Sequence, residues 1–423
     1  MEEVTAYSTF VMTLGLIVGR PRIGRGFRIG PASAAALGVL LMMLGGVVHW
    51  ANLEAAVAVM WRPVFGIVSI MVMTAVAGRV GVLEKLTFLL FAPPRRGDGR
   101  GSAERLFTRV FALSALTAAI LNNDSAVLLL TPIIVTLVRR RYPRHPALVV
   151  PFALVVFMSA GVAPLVVSNP MNMVVASYAG IGFNAYAQRM IPIAVFGWIL
   201  AYLVLRALAA RTMRRVGRGE QGLESPAMPW TPAQTQILVL LAFVLAAYPT
   251  VSYFGGPIWL VAAAGAALAL ALAARAEHSV RSVANDISWN ILVFLILVFV
   301  LATGLKNVGL VGHIEAAYAR GGILTIGVCS ALGSAILNNH PMSTLNMLAL
   351  EGSHPFRQEH VLAALIGGDL GPRLFPSGSL AGLLWFESLR RLDVDISIGR
   401  FVLVGALVTL PSLAASLLLL NVM

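Results

Sequence analysis

Two short polar segments of nearly the same sequence interrupt an otherwise apolar chain, one in each half. The segment Ile-Leu-Asn-Asn-Asp at 120–124 is repeated as Ile-Leu-Asn-Asn-His at 336–340. Asparagine carries hydrogen-bond donors and acceptors but no charge. Two matching pairs of such residues could therefore hydrogen-bond a small, uncharged solute that carries several hydroxyl groups.

Each asparagine pair is followed further along the chain by a second polar break, at 164–170 in the first half and at 367–379 in the second. Polar, Gly/Pro-broken segments at matching places in two halves are typical of the binding site of a secondary transporter. Irregular backbone at membrane depth is tolerated where it is covered by protein or lines a cavity. The predicted solute-binding residues are Asn122, Asn123, Ser168, Asn169, Asn338, Asn339, Ser377 and Ser379.

An alternative role for any one of these asparagines is to cap a half-helix and satisfy its free backbone groups. Capping by itself does not require the same double asparagine twice. The repeated pair therefore favours binding, and the capping alternative stays open for each single residue.

Four ionisable residues fall within the apolar or broken segments, namely Asp124, His340, Asp369 and Arg373. A charge in a membrane span is costly and is a functional candidate by default, so these four are the candidates for proton coupling. We predict that Asp124 carries the proton, because it lacks a close basic neighbour in sequence, and that Asp369 is held by Arg373. A static ion pair for the latter two, and hydrogen bonding at the hairpin tip for His340, are the alternatives.

The composition indicates that this chain lies in a membrane. Of its 423 residues, 58% are hydrophobic and 12% are charged, and the mean hydropathy is +0.85. Such a chain lacks the polar surface of a soluble domain, and its apolar stretches approach the length of a membrane span. The single cysteine, Cys329, excludes an intramolecular disulfide and a multi-thiolate metal site. We expect neither a metal nor another cofactor, and we expect Cys329 to have a packing role.

The predicted fold is an all-α polytopic membrane protein with broken helices at the midplane. The asparagine pairs lie in two segments, about 106–138 and 322–350, which are predicted to be re-entrant hairpins. Ten crossings are predicted at 5–19, 31–50, 61–82, 147–180, 189–210, 232–250, 256–275, 287–304, 360–388 and 398–421.

The net charge of +13 lies mostly in alternate loops, which argues for membrane topology and against nucleic-acid binding. By the positive-inside rule the arginine-rich loops are cytoplasmic, so both termini are predicted outside. The arginines concerned are Arg20, Arg22, Arg25, Arg28, Arg95, Arg96, Arg100, Arg105, Arg139, Arg140, Arg141, Arg144, Arg211, Arg214, Arg215, Arg218, Arg275, Arg281, Arg390 and Arg391.

The count of five crossings per half is odd, so the second half should enter the membrane in the opposite orientation to the first. This is an inverted-topology repeat. We predict a first repeat at 1–210, a cytoplasmic linker at 211–231 and a second repeat at 232–423.

Several motifs resemble the arsenite/antimonite efflux permeases, the arsenical pump membrane proteins of the ion transporter superfamily. In the first half the resemblance lies in 121–133 and 164–172. In the second half it lies in Asn-Asn-His-Pro-Met-Ser-Thr at 338–344 and in Asp-Leu-Gly-Pro-Arg at 369–373, followed by Pro-Ser-Gly-Ser-Leu at 376–380. The chain departs from the family pattern at Asn122, usually Ala, at His340, usually apolar, and at Arg373, usually Lys.

The resemblance implies secondary active efflux of arsenite or antimonite as the neutral hydroxide, by alternating access, across a bacterial or archaeal plasma membrane. The membrane voltage does no work on a neutral solute, so exchange for inward-moving protons would supply the free energy for efflux. The expected partners are the solute, protons and the lipid bilayer. The family also suggests an arsenite-stimulated ATPase on the cytoplasmic face, whereas this chain has no Walker-type motif and is not itself an enzyme.

Three alternatives stay open. The first is a carrier of the same superfamily for silicate, sodium or a carboxylate. The second is a passive channel. The third, from another class, is an intramembrane aspartyl protease that uses Asp124 and Asp369, although this leaves the repeat unexplained.

Overall fold

The computed structural model describes residues 2–23, 27–90, 102–216, 229–277, 279–352 and 357–423. Arg25, Arg95, Arg96, Arg100 and residues 217–228 of the predicted linker lie outside these ranges. A short antiparallel pair joins β1 (Arg22–Ile23) to β2 (Phe27–Arg28). The described helices are α1 Glu2–Gly19, α2 Pro31–Leu44, α3 Trp50–Arg79, α4 Val82–Leu90, α5 Ser102–Ile120, α6 Asn123–Arg141, α7 Val149–Met158, α8 Pro170–Tyr178, α9 Phe183–Arg214, α10 Pro232–Tyr253, α11 Ile258–Arg275, α12 Val280–Asp286, α13 Trp289–Asn307, α14 Leu310–Leu337, α15 Asn339–Glu351, α16 Gln358–Leu370, α17 Leu380–Arg391 and α18 Ile398–Val422.

The same order of elements occurs in the two halves. Three helices lead to a short connecting helix, a hairpin of two arms, two short helices and a long final helix, and the second half has one additional short helix, α12, between α11 and α13. In the second half the connecting helix and the first hairpin arm are both part of α14, which kinks at Gly322, where φ is +61°. The hairpin arms run from Ser102 to Arg141 and from Gly322 to Glu351, close to the predicted 106–138 and 322–350.

Each of the two predicted crossings at 147–180 and 360–388 consists of two short helices with a break between them. The first is α7 and α8, separated by irregular chain and a 3-10 turn at Val166–Ser168. The second is α16 and α17, separated by 3-10 turns at Gly371–Arg373 and Pro376–Gly378. Pro170 opens α8 because its fixed φ suits the first helical position and its missing N–H is not needed there.

Seven of the described helices are long and apolar enough to cross a membrane, namely α3, α9, α10, α11, α13, α14 and α18. The predicted boundaries of the second and third crossings are wrong. The helix of the second crossing ends at Leu44 rather than at 50. Gly46, two residues later, has a φ of +73°, which does not continue a helix. The third begins at Trp50 rather than 61, because the backbone N–H of His49 donates to Asn52 Oδ1 at 2.8 Å and starts the helix there.

Two glycines, one in α16 and one directly after it, set the position of its polar end. A Cβ on Gly367 would lie 2.2 Å from the carbonyl oxygen of Gly327, and one on Gly371 would lie 2.3 Å from that of Ala331. The backbones of α14 and α16 are therefore in direct contact, as small residues allow in membrane proteins. This contact places the break after Leu370 beside the second hairpin.

Candidate functional site

The two hairpin tips have the same local structure. Asn122 caps α6, where its Oδ1 accepts from the Asp124 N–H at 2.8 Å. Asn338 caps α15, where its Oδ1 accepts from the His340 N–H at 3.3 Å and its Nδ2 donates to the Ser377 carbonyl at 3.1 Å. Asn338 has φ +83° and ψ +145°, which lies outside the αL region and close to a conformation that is adopted almost only by glycine. The first asparagine of each pair thus shapes the tip.

The tips and the two helix breaks meet around one small cavity of about 30 Å³. This volume has room for about two water molecules. The cavity is lined by Asn123, Asp124, Val127, Phe157, Ala160, Asn169, Asn339, Asp369, Pro372, Arg373, Ser379 and Ala381.

The cavity gathers part of the predicted set. The predicted residues that line it are Asn123, Asp124, Asn169, Asn339, Asp369, Arg373 and Ser379. Asn122 and Asn338 are not among the lining residues and cap α6 and α15. Ser168 donates its hydroxyl to the Ala119 carbonyl, and Ser377 contributes its carbonyl to Asn338.

Asn169 and Ser379 occupy matching positions, each as the cap of the second short helix of its pair. Asn169 Oδ1 accepts from the Met171 N–H at 3.0 Å. Ser379 Oγ accepts from the Gly382 N–H at 2.9 Å. The Ser379 hydroxyl keeps its own donor after capping, so it can still bind a solute at the cavity wall.

Asp369 is held by donors from the first half of the chain. Its carboxylate accepts from the Ala163 N–H at 2.8 Å, Asn169 Nδ2 at 2.7 Å and Asn172 Nδ2 at 2.9 Å. A deprotonated carboxylate can only accept hydrogen bonds. Three donors at two oxygens therefore match an ionised Asp369.

The expected ion pair between Asp369 and Arg373 is not formed. No carboxylate of a described residue lies within 4 Å of the Arg373 guanidinium, and its Nε and Nη2 are buried without a hydrogen-bond partner. The physical reason is the local backbone. The α-helix ends at Leu370 and Gly371–Arg373 is a 3-10 turn, so the two side chains do not share a helix face.

Asp124 and His340 occupy matching positions on the two tips but have different surroundings. The Asp124 carboxylate lines the cavity and makes no hydrogen bond or ion pair with a described residue. His340 is fully buried outside the cavity lining, with Nδ1 2.7 Å from Asn339 Oδ1 and its ring 5.7 Å from that of Phe294.

Sequence reasoning missed Asn172 and Tyr186. Asn172 Nδ2 donates to both Asp369 and the Tyr186 hydroxyl, and that hydroxyl donates to the Ala163 carbonyl at 3.0 Å. A signal existed for Asn172, because it lies three residues after Asn169 and so about one helical turn away. Tyr186 lies in α9 and carries no comparable sequence signal.

A second, larger cavity of about 430 Å³ lies between α3, α8 and α11. Met173 of α8 lines it, together with Arg62, Phe183 and Trp259. The cap of α8, Asn169, lines the small cavity, and Met173 within α8 lines the larger one.

A mainly helical chain with this many apolar helices, two hairpins and two broken helices around a polar cavity defines a polytopic membrane transporter. Residues 5–423 match the family model described as "Arsenical pump membrane protein", and the chain belongs to this family. It is a transporter and not an enzyme.

Relatives with this description cover nearly the whole chain. The "Arsenical pump membrane protein" of Escherichia coli (strain K12) is 30% identical over 97% of both chains. The "Putative arsenical pump membrane protein" of Bacillus subtilis (strain 168) is 26% identical over 93% of both. The crystal structure of the Alcanivorax borkumensis YdaH transporter, described as revealing an unusual topology, covers 100% of this chain and 98% of its own, with a TM-score of 0.55 and 15% identity. That likeness is one of fold alone.

Proposed function

We propose that the protein exports trivalent arsenic or antimony as the neutral trihydroxide, in exchange for protons and by alternating access. The relatives described as arsenical pump membrane proteins support the choice of solute. The central observation is the cavity, where Asn123, Asn169, Asn339 and Ser379 bring neutral hydrogen-bonding groups from both halves of the chain.

The chemistry of this lining suits a small polyhydroxylated solute. Each hydroxyl of arsenic trihydroxide offers one donor and two acceptor lone pairs, and each amide offers both donors and acceptors. A cavity of about 30 Å³ must widen to admit a solute with four non-hydrogen atoms. We therefore take the observed cavity to be a closed state, which opens when the hairpin tips move relative to the broken helices.

The charges around the cavity support exchange for a proton. Its ionisable lining residues are Asp124, Asp369 and Arg373, so two carboxylates and one guanidinium give it one net negative charge. Uptake of one proton makes the site neutral. Because the Asp124 carboxylate has no described partner, whereas Asp369 accepts three donors, we assign the proton to Asp124.

The free energy available from proton exchange is sufficient to export the solute against a gradient. One proton that moves inward through a potential of 100 mV supplies about 2.3 kcal/mol. That free energy sustains a solute gradient of roughly 50-fold.

We further propose that the halves 1–210 and 232–423 are inverted repeats joined by the linker 211–231, that the arginine-rich loops are cytoplasmic, and that both termini lie outside a bacterial inner membrane. The repeated order of elements supports this division. In that orientation the cavity of about 430 Å³ lies toward the outside, because it is bounded by the α8–α9 and α10–α11 turns. It would serve as the exit route past Met173.

The second candidate is a related carrier for silicate, sodium or a carboxylate. A dicarboxylate would face two carboxylates and a single guanidinium in the cavity, which disfavours it. Silicic acid shares the hydroxyl chemistry of arsenic trihydroxide and is the stronger competitor. An ATPase partner on the cytoplasmic face is a separate hypothesis, which co-purification would test.

Everted membrane vesicles test the proposal. Vesicles that contain the protein should accumulate arsenite when their interior is acidified, and collapse of the proton gradient should abolish the accumulation. Antimonite should compete, and silicate, sodium and succinate should not. Uptake of silicate or succinate in preference to arsenite would overturn the choice of solute. Uptake of arsenite that ignores the gradient would overturn the coupling.

A further inference from the structure

We propose that Arg373 binds the transported solute directly, by donating hydrogen bonds from its guanidinium to a solute oxygen. This inference rests on the proposed function and names a contact within the same cavity. It replaces the expected role of Arg373 as the counter-ion of Asp369.

Arg373 carries buried donors that have no hydrogen-bond partner. Arg373 is 2% exposed, and its Nε and Nη2 have no hydrogen-bond partner. A buried charged donor without an acceptor is costly, so the fold retains it at a cost in stability. Because Arg373 lines the cavity, the acceptor that would satisfy it is one that enters from outside the chain.

Asp369 does not serve as the acceptor for Arg373. Both carboxylate oxygens of Asp369 are already engaged by Ala163, Asn169 and Asn172. These donors come from the α7–α8 break and the first turn of α8, and they satisfy the carboxylate without a basic residue. Arg373 is thereby left free for a solute.

A complementary group lines the same cavity. Asp124 presents a carboxylate without a described partner, and Arg373 presents donors without an acceptor. A solute that carries hydroxyl groups can donate to Asp124 and accept from Arg373 at once. A metal cation offers no acceptor to the guanidinium and would leave its donors unsatisfied.

The position of the guanidinium depends on Gly161. A Cβ at that position would lie 3.0 Å from Arg373 Nη2 and 3.3 Å from the Trp198 ring. An alanine at 161 would therefore push the head group of Arg373 aside without changing its charge. This offers a second test that leaves Arg373 itself intact.

The experiment is equilibrium dialysis of arsenite against the purified, detergent-solubilised protein at pH 7, with bound arsenic quantified by mass spectrometry. The variants are Arg373→Gln, Arg373→Lys and Gly161→Ala. Gly312→Ala is the matched control, because a Cβ there meets nothing within 4 Å. Thermal unfolding of each variant shows that it is folded.

We expect Arg373→Gln to weaken arsenite binding by about 10- to 100-fold, as for the loss of a charge-assisted hydrogen bond. Arg373→Lys should weaken binding by less, since an ammonium keeps the charge but lacks the planar fork. Gly161→Ala should weaken it several-fold, and Gly312→Ala should match the parent.

The outcomes separate the two proposals. Failure of the parent protein to bind or transport arsenite would overturn the proposed function, and this inference with it. Binding by the parent together with equal binding by Arg373→Gln would overturn the inference alone. If Arg373→Gln does not fold, Gly161→Ala decides: parent-like affinity refutes direct binding, and a weakened affinity with an unchanged unfolding temperature supports it.

Discussion

Asn169 and Asp369 lie 200 residues apart in the chain, and the amide of Asn169 donates to Asp369 Oδ1 at 2.7 Å. The bond joins the cap of α8 to the polar end of α16, so it ties the broken helix of one half to that of the other. The second oxygen, Asp369 Oδ2, accepts from Asn172 Nδ2 and from the Ala163 N–H. The carboxylate of Asp369 thus holds the two breaks together around the cavity.

Asp369→Asn should destabilise this junction. An asparagine keeps the size of the side chain but replaces one accepting oxygen with a donor, which then faces the donors of the α7–α8 break. We expect a loss of about 1–3 kcal/mol for the buried donors left unsatisfied, with a lower unfolding temperature in detergent.

Asp286→Asn is the matched control for that measurement. Asp286 pairs with Arg79 at a partly exposed position, where such a pair contributes about 0–1 kcal/mol. Equal unfolding temperatures for Asp369→Asn and the parent would show that the three donors do not stabilise the fold.

Asp124→Asn should uncouple transport without loss of fold. The Asp124 carboxylate makes no described hydrogen bond that the change would break, and an amide neither takes up nor releases a proton. In liposomes with an imposed pH gradient, we expect arsenite to equilibrate across the membrane but not to accumulate. Accumulation equal to that of the parent would show that a group other than Asp124 carries the proton.

The two asparagines of the second tip should respond differently to substitution. Asn338→Gly should keep most transport, because glycine adopts a φ of +83° freely and costs only a few tenths of a kcal/mol as a cap. Asn339→Ala should raise the KM for arsenite by about 5- to 20-fold, since it removes a neutral hydrogen-bonding group from the cavity. Initial rates of uptake across an arsenite concentration series distinguish the two. The reverse ranking would mean that the cap, and not the lining, binds the solute.

Cys329→Ser should retain most transport. Cys329 is half-buried on α14, packs against the hydrophobic core and does not line the cavity. A single thiol also cannot form a multi-thiolate site. We expect initial rates within about twofold of the parent, because volume-conserving changes at partly buried sites have small effects. A tenfold loss in a well-expressed variant would show that the thiol contributes to binding.

The cysteine-free chain then permits a direct test of topology. In this background, Phe254→Cys places a thiol in the α10–α11 turn, where Phe254 is 80% exposed, and Arg215→Cys places one just after α9. An impermeant maleimide should label the first in intact cells and the second only after permeabilisation. The opposite pattern would invert the orientation proposed here.

The sequence by itself determined the class of fold and the places where it breaks. Composition required a membrane, since a chain of this hydropathy cannot supply a polar surface. The repeated asparagine pair located both hairpins to within a few residues. The Gly/Pro-rich segments likewise located both broken helices, because these residues interrupt helices through local backbone geometry. Local signals of this kind are present in the chain before any tertiary contact forms.

The tertiary structure decided which polar groups meet and which are engaged elsewhere. The first asparagine of each pair caps a hairpin arm outside the cavity lining, whereas the second lines the cavity. The i,i+4 spacing of Asp369 and Arg373 predicted an ion pair, but the turn at Gly371 separates the two side chains. The partners of Asp369 come from the α7–α8 break and the first turn of α8, which lie 197 to 206 residues away. Contacts between distant segments depend on how α16 packs on α14 and against the α7–α8 break, and spacing along one chain does not encode that packing.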